Sequence, residues 1–203
     1  MAAPPGPIPR ASSCRGHLGH MPIGARIGYE GYRRRGQIHL NLQSAEDSAD
    51  TIATDIARDL ANHRLNCYTS FATLPEHFVA APLGLTDKAD GSKRRIHHLS
   101  YPADDMDSGS INGSIPERST TISYSTIEDA ITAIAFFAKG CLLVKPDFES
   151  AFRHIPVSPI DSALLGFHWE NKYYSERYLP FGLQTAPFLF NLFAKGLHWI
   201  LGK

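Results

Sequence analysis

Apolar residues recur at helical spacing in "SAEDSADTIATDIARDLANHR", which starts at Ser44. Ile52, Ile56 and Leu60 share one face, and a Ser stands three positions before an acid. An amphipathic helix is predicted there. "HFVAAPLGLTDKADGSKRRIHHLSYP" places two β-prone runs around Asp90-Gly91, which predicts a hairpin with a basic tip carrying Lys88, Lys93, Arg94 and Arg95. "YSTIEDAITAIAFFAKG" predicts a second helix, with a capping box from Ser125 to Glu128, an apolar face of Ile127, Ile131, Ile134 and Ala135, and a stop at Gly140. "CLLVKPD" reads as a short apolar strand leaving that helix, and "ALLGFHWENKYYSERYLP" as two strands around Glu170-Asn171. "QTAPFLFNLFAKGLHWILGK" closes with a helix that has Pro187 in its first turn and Phe188, Leu192, Leu197 and Ile200 as expected core positions.

The predicted order is helix, hairpin, helix, strand, short turn or helix, two strands, helix, with no internal repeat. That mixture is α+β rather than a run of βαβ units. Residues 1–26 are rich in Pro, Gly and small polar residues without periodicity, so they are expected to form a disordered leader to a domain at 27–203. His17 and His20 in that leader have no companion ligands and read as solvated tail residues.

Composition narrows the picture only a little. Hydrophobic residues make up 43% and charged residues 20% of 203, which is ordinary for a globular chain. Twenty basic side chains balance twenty acidic ones, so any nucleic-acid partner would have to be held by local basic patches. Cys14, Cys67 and Cys141 are odd in number and lack CxxC spacing, against a disulfide framework or a zinc site. A reducing, intracellular setting is expected, in an undetermined compartment; neither a membrane span nor a secretory signal is visible.

The candidate chemistry lies in "LLVKPDFESAFRHIPV", residues 142–157, where Asp147 ends an apolar run. A carboxylate at the exit of a buried strand suits a divalent cation held for phosphoryl transfer, yet an Asp there also serves as a turn former or helix cap. The segment alone leaves both open.

Three stretches taken in order, "DGSKRRIHHLSYP", "LLVKPDFESAFRHIPV" and "RYLPFGLQTAPFLFN", resemble reverse transcriptases, the RNA-directed DNA polymerases of retroelements. The likeness is to the DIRS type and related fungal retrotransposons, with a basic hairpin ending in HxLSxP, an Asp followed by xxxAFRxIPV, then LPFGLxxAPxxFN. It extends from about Ile27, through "IGYEGYRRR" and "NLQSA", to Leu201.

The resemblance implies a right-hand polymerase with fingers and an α+β palm, a two-ion Mg2+ (or Mn2+) site in a complete polymerase, an RNA or DNA template-primer and deoxynucleoside triphosphates as partners. It makes Asp147 the first metal-binding aspartate, with the Phe148 carbonyl as co-ligand. Phe152 becomes the aromatic beneath the incoming sugar. Arg94, or Arg95 if the hairpin register slips by one, becomes the arginine that grips the triphosphate, assisted by Lys88 or Lys93; a guanidinium suits phosphate oxygens. Phe181 and Gly182 fall on a turn before a helix, where backbone can approach a base pair and an aromatic can pack on a nucleotide. Gln184 would contact template or nucleotide. His97 and His98 match no metal ligand of the family and read as structural.

The sequence departs from the family after the last helix: the Tyr-x-Asp-Asp hairpin that supplies the remaining carboxylates does not follow. "YPADDMD", residues 101–107, has one residue too many and the wrong place, and reads as a surface loop. The expectation is a fingers and palm fragment, truncated before the catalytic hairpin and inactive alone, with the rest of a retroelement polyprotein as a partner. Its apolar face beside Leu142, Leu143 and Val144 would be left uncovered. The competing expectation is a non-catalytic nucleic-acid-binding or interaction module of the same origin. A metal-dependent hydrolase using Asp147 and the histidines has no supporting ligand spacing.

Overall fold

The computed structural model describes residues 24–33, 36–102, 109–137, 140–144 and 147–201. Residues 1–23 of the leader, with Cys14, His17 and His20, lie outside the described residues, as do residues 103–107 of the "YPADDMD" loop. The leader's last residues are held: Ala25 bridges Val157, and Arg26 pairs with Asp161 at 2.7 Å.

Among the described residues, seven strands form two sheets. The larger has the order β1 (Gln37–Ile38), β3 (Val79–Ala80), β6 (Gly166–Trp169), β7 (Lys172–Glu176) and β2 (Leu65–Tyr68). β1, β3 and β6 run parallel, while β6–β7 and β7–β2 are antiparallel, so the sheet is mixed. β4 (Leu83–Asp87) and β5 (Lys93–His97) make the second sheet. This is the hairpin predicted around Asp90-Gly91; Gly91 takes φ +78°, and the Lys88 N–H donates to Ser92 O at 2.8 Å. The β6–β7 turn falls at Glu170 and Asn171, both at positive φ, as a two-residue hairpin loop requires.

The helix expected from Ser44 is two helices, α1 (Gln43–Glu46) and α2 (Ala49–Ala61). Ile52 and Ile56 of α2 are buried among Leu65, Leu83, Phe167, Trp169 and Tyr174. A second cluster gathers Ile27, Leu99, Ile111, Ile155, Leu164, Leu179 and Leu183. A turn at Ala151–His154 leads to α4 (Pro159–Ser162), and α5 spans Ala186–Leu201.

Three local expectations are corrected. α3 (Ile127–Phe137) is capped one residue later than predicted: Thr126 N–H and hydroxyl donate to Asp129 Oδ2, while the Asp129 N–H returns to Thr126 Oγ1 at 3.2 Å. Thr126 and Asp129 keep the three-residue spacing of Ser125 and Glu128. The inner face of α5 is also displaced. Leu189, Phe190 and Phe193 pack on the core beside buried Ala186, whereas Leu192 and Ile200 are exposed. The buried Thr185 and Ala186 at its entry fix the rotation, and positions three, four and seven beyond Ala186 follow inward. Residues 141–144 form no strand, and Leu142 is 93% exposed.

No helix among the described residues is long and apolar enough to cross a membrane.

Candidate nucleotide and nucleic-acid interface

β5 sorts the two candidate arginines by strand alternation. Arg95 and His97 are buried on one face, while Arg94 lies on the other, exposed. Arg95 donates to Asp59 Oδ2 at 2.7 Å, lies 3.5 Å from Glu176 Oε1, and stacks at 5.2 Å over Phe167. Arg153 binds both Glu176 oxygens and reaches Asp59 Oδ2 at 3.5 Å; Arg64 meets Asp59 Oδ1 at 3.4 Å. The network ties α2, β5, the 151–154 turn and the end of β7 into one body.

His97 completes that inner face. One ring nitrogen, Nε2, is 2.8 Å from Gly166 O. Burial pushes its pKa down to about 4, partly opposed by the Glu176 carboxylate, so the ring is neutral at physiological pH and donates from Nε2.

The outer face of β5 meets the turn before α5. The Arg94 guanidinium sits 4.7 Å over the Phe181 ring. Phe181 touches Phe152 at 5.4 Å between ring centroids, Phe152 lies 6.2 Å from Phe190, and Phe190 lies 5.7 Å from Phe148. An aromatic path therefore runs from the Arg94 guanidinium to the residue beside Asp147. Asp147 is exposed, with Oδ1 accepting the Phe148 N–H at 3.0 Å. Lys93 is exposed at the start of β5, and Gln184 is exposed past the turn.

Gly182 has φ +105°, and a Cβ there would fall inside the van der Waals sphere of the His97 carbonyl oxygen. Its freedom serves the approach of β5. Asn112, which the sequence reading passed over, binds this turn: Nδ2 donates to Gly182 O at 2.8 Å, and Oδ1 accepts the Gln184 N–H at 2.9 Å. Arg153 and Asp59 were passed over too; the Arg inside "AFRHIPV" was the available signal.

As a test of the implied ions, Asp147 offers one exposed carboxylate, and no group of three His, Cys, Asp or Glu side chains gathers among the described residues. The described residues do not by themselves complete a two-ion site.

No family model and no curated protein matches the chain. Among solved structures it is similar to the foamy viral protease-reverse transcriptase dRH in complex with double-stranded DNA, with 20% identity and a TM-score of 0.52 over 84% of this chain and 26% of that one. Native prototype foamy virus protease-reverse transcriptase matches with 21% identity and a TM-score of 0.52 over 85% of this chain and 20% of its own. A further foamy viral protease-reverse transcriptase, in complex with double-stranded DNA, matches with 22% identity and a TM-score of 0.50, covering 84% of this chain and 30% of that one. The chain has a reverse-transcriptase-like fold, mixed α+β with a mixed sheet. It spans between 20% and 30% of the length of these neighbours.

Proposed function

We propose that the chain forms the fingers and the first part of the palm of a retroelement reverse transcriptase, of the DIRS type or a related fungal group. It would act in template-directed attack of a primer 3′-hydroxyl on a deoxynucleoside triphosphate, with loss of pyrophosphate. One observation carries this reading: the aromatic path that leads from the Arg94 guanidinium through Phe181, Phe152 and Phe190 to Phe148, beside Asp147. A cation and a carboxylate at the two ends of an aromatic floor suit a triphosphate that reaches from the guanidinium toward a divalent ion held at the carboxylate, with the sugar over the aromatic rings.

In this reading Arg94 grips the triphosphate, because it faces outward while Arg95 is held by Asp59. Lys93 adds charge, and Phe152 lies under the sugar. Asp147, with the Phe148 carbonyl, would hold Mg2+ or Mn2+, an ion that neutralises phosphate charge when bound. The remaining carboxylates would come from outside the described residues, in a palm segment that also covers α3. The chain alone is then expected to bind without turnover. The set of described acids, which does not gather around Asp147, favours a second reading, a non-catalytic nucleic-acid-binding module that keeps the same Arg94 face.

Fluorescence anisotropy with a labelled RNA/DNA hybrid and with dTTP tests both. Affinity for the hybrid is expected to fall steeply with salt, and Arg94→Ala to weaken dTTP binding by about tenfold or more with the fold intact by circular dichroism. Unchanged binding in that variant would refute the assignment. Primer extension separates the readings: extension abolished by Asp147→Asn would establish a polymerase whose other carboxylates lie within these 203 residues, with "YPADD" the first place to look.

A further inference from the structure

Asn112 is 7% exposed and belongs to none of the three motif segments, yet its amide joins two of them. Nδ2 donates to Ser100 Oγ at 2.9 Å, just beyond β5, and to Gly182 O at 2.8 Å in the turn before α5. Oδ1 accepts the Gln184 N–H at 2.9 Å. Both ends of the amide are therefore committed, and the order of partners fixes which end is which: a flipped amide would set oxygen against the Gly182 carbonyl and NH2 against the Gln184 N–H. Asp would lose the donors, and Gln would overshoot by a methylene. The Asn112 N–H itself donates to Leu99 O at 2.9 Å, so the amide is anchored to the chain that leaves β5.

The turn is held on a second side by β5, whose His97 N–H donates to Phe181 O at 3.2 Å. With Phe181, Gly182 and Gln184 each fixed through the backbone, the Phe181 ring has its place set, and it lies beneath Arg94. We propose that Asn112 is the positioning residue of the Phe181–Gln184 turn, and that through Phe181 it sets the direction of the Arg94 guanidinium. The consequence for dTTP rests on the reading of Arg94 as the triphosphate grip; the consequence for the Arg94 side chain does not.

Two readouts on the full chain decide it. In the first, Asn112→Ala weakens dTTP binding by about tenfold. In the Arg94→Ala background the same change alters binding less than about twofold, because coupled residues are not additive. Ile56→Val, in the other core cluster, serves as a destabilised control and leaves dTTP affinity unchanged. In the second, NMR follows the Arg94 side-chain resonances, which the Phe181 ring current displaces in the unmodified chain. Asn112→Ala returns them toward free-arginine positions, as Phe181→Leu does. If Asn112→Ala fails to fold, the near-isosteric Asn112→Asp replaces it, since its carboxylate still accepts from Gln184 but repels the Gly182 carbonyl.

Unmoved Arg94 resonances in a folded Asn112 variant would overturn the proposal, as would fully additive losses in the double variant. If the unmodified chain does not bind dTTP, the triphosphate reading fails, and the NMR arm alone still decides whether Asn112 positions the turn.

Discussion

Two parts of this chain handle charge and apolar surface in opposite ways. Around Asp59 and Glu176, two carboxylates and the guanidiniums of Arg95 and Arg153 lie almost out of water, each paired and surrounded by packed strands. In α3 and residues 142–144, by contrast, Ile127 is 75%, Phe136 80% and Leu142 93% exposed, and no residue of α3 is buried. Ions are hidden where apolar groups would be expected, and apolar groups stand in solvent where ions would be. The first region is a closed body whose charges pair with one another, while Arg95 Nη1 and His97 Nδ1 stay buried without a hydrogen-bond partner among the described residues. The second has the amphipathic pattern of a packed element and no element of the described chain against it, so its stability is local.

The sharpest way to break this comparison is to remove one ion from the closed body. Glu176→Ala leaves Arg95 and Arg153 sharing Asp59 in a dry site, at a cost of about 3–5 kcal/mol, because an unpaired buried charge is far worse than no ion pair at all. Urea unfolding followed by tryptophan fluorescence should show the midpoint fall by the corresponding amount. A loss under about 1 kcal/mol would mean that water reaches the network and that the two regions differ less than their burial indicates.

Acid probes the same body without mutation. His97 has a folded pKa of about 4, depressed by burial from 6.5. Above about pH 7 both folded and unfolded rings are neutral, and its contribution to stability is fully present. As pH falls from 6.5 toward 4 the unfolded state takes up a proton that the folded state refuses, so stability declines by about 3 kcal/mol and then levels. His97→Gln, which keeps a donor for Gly166 O, should flatten that slope. A slope that survives in the variant would assign it to other groups.

What the sequence disclosed follows the same division. The hairpin at Asp90-Gly91, the turn at Glu170-Asn171 and the Ile52/Ile56 face were legible because each depends on local rules: turn residues with positive φ, and apolar spacing along one helix. The roles within "KRRIHH" were not. Ile96 is the apolar residue of that run, so pattern alone would turn Ile96 and Arg94 inward and leave Arg95 and His97 in water. The fold does the reverse, since Asp59 and Glu176, 36 residues before and 81 after Arg95, supply the charges that make burial of a guanidinium tolerable. Partners so distant in sequence leave no local mark. The α5 face failed for a related reason: Phe188, Leu192 and Leu197 compete with Leu189, Phe190 and Phe193 in a helix apolar nearly all round, and the burial of Thr185 and Ala186 decides between them. The arrangement of Arg94, Phe181 and Phe152 was legible as a set of residues but not as a path.

A smaller effect is expected at the head of α3. The helix has 11 residues and no packed face, so its cap should matter to its own opening rather than to global unfolding. Thr126→Ala removes the hydroxyl that exchanges bonds with Asp129, and hydrogen exchange of α3 amides should quicken by about fivefold while the urea midpoint stays put. The backbone and hydroxyl bonds from Thr126 hold the Asp129 carboxyl below its usual pKa, so the cap is complete above the ordinary carboxylate range and is lost as pH falls through the lowered value. Acid should therefore quicken the opening of α3 in the unmodified chain beyond the intrinsic pH trend, and less in the variant. A shifted urea midpoint would show instead that α3 belongs to the cooperative body.

The smallest change in stability is expected where the apolar surface is largest. Ile131→Glu places a charge on the exposed stripe of α3, where Ile131 belongs to neither core cluster, so unfolding free energy should move by no more than about 0.5 kcal/mol. Dye fluorescence should respond in the opposite proportion. The stripe of Ile127, Ile131 and Ile134 offers a hydrophobic dye an exposed apolar face, and a carboxylate in its middle should lower the signal and raise solubility. The comparable change in the closed body, Ile56→Glu, should unfold the chain, because Ile56 lies 4% exposed against β2 and the β6–β7 pair. The two substitutions are chemically identical, so any difference between them measures burial, as lost packing and carboxylate desolvation together. If Ile131→Glu costs as much as Ile56→Glu, α3 is covered in solution, and the apolar face already has its partner.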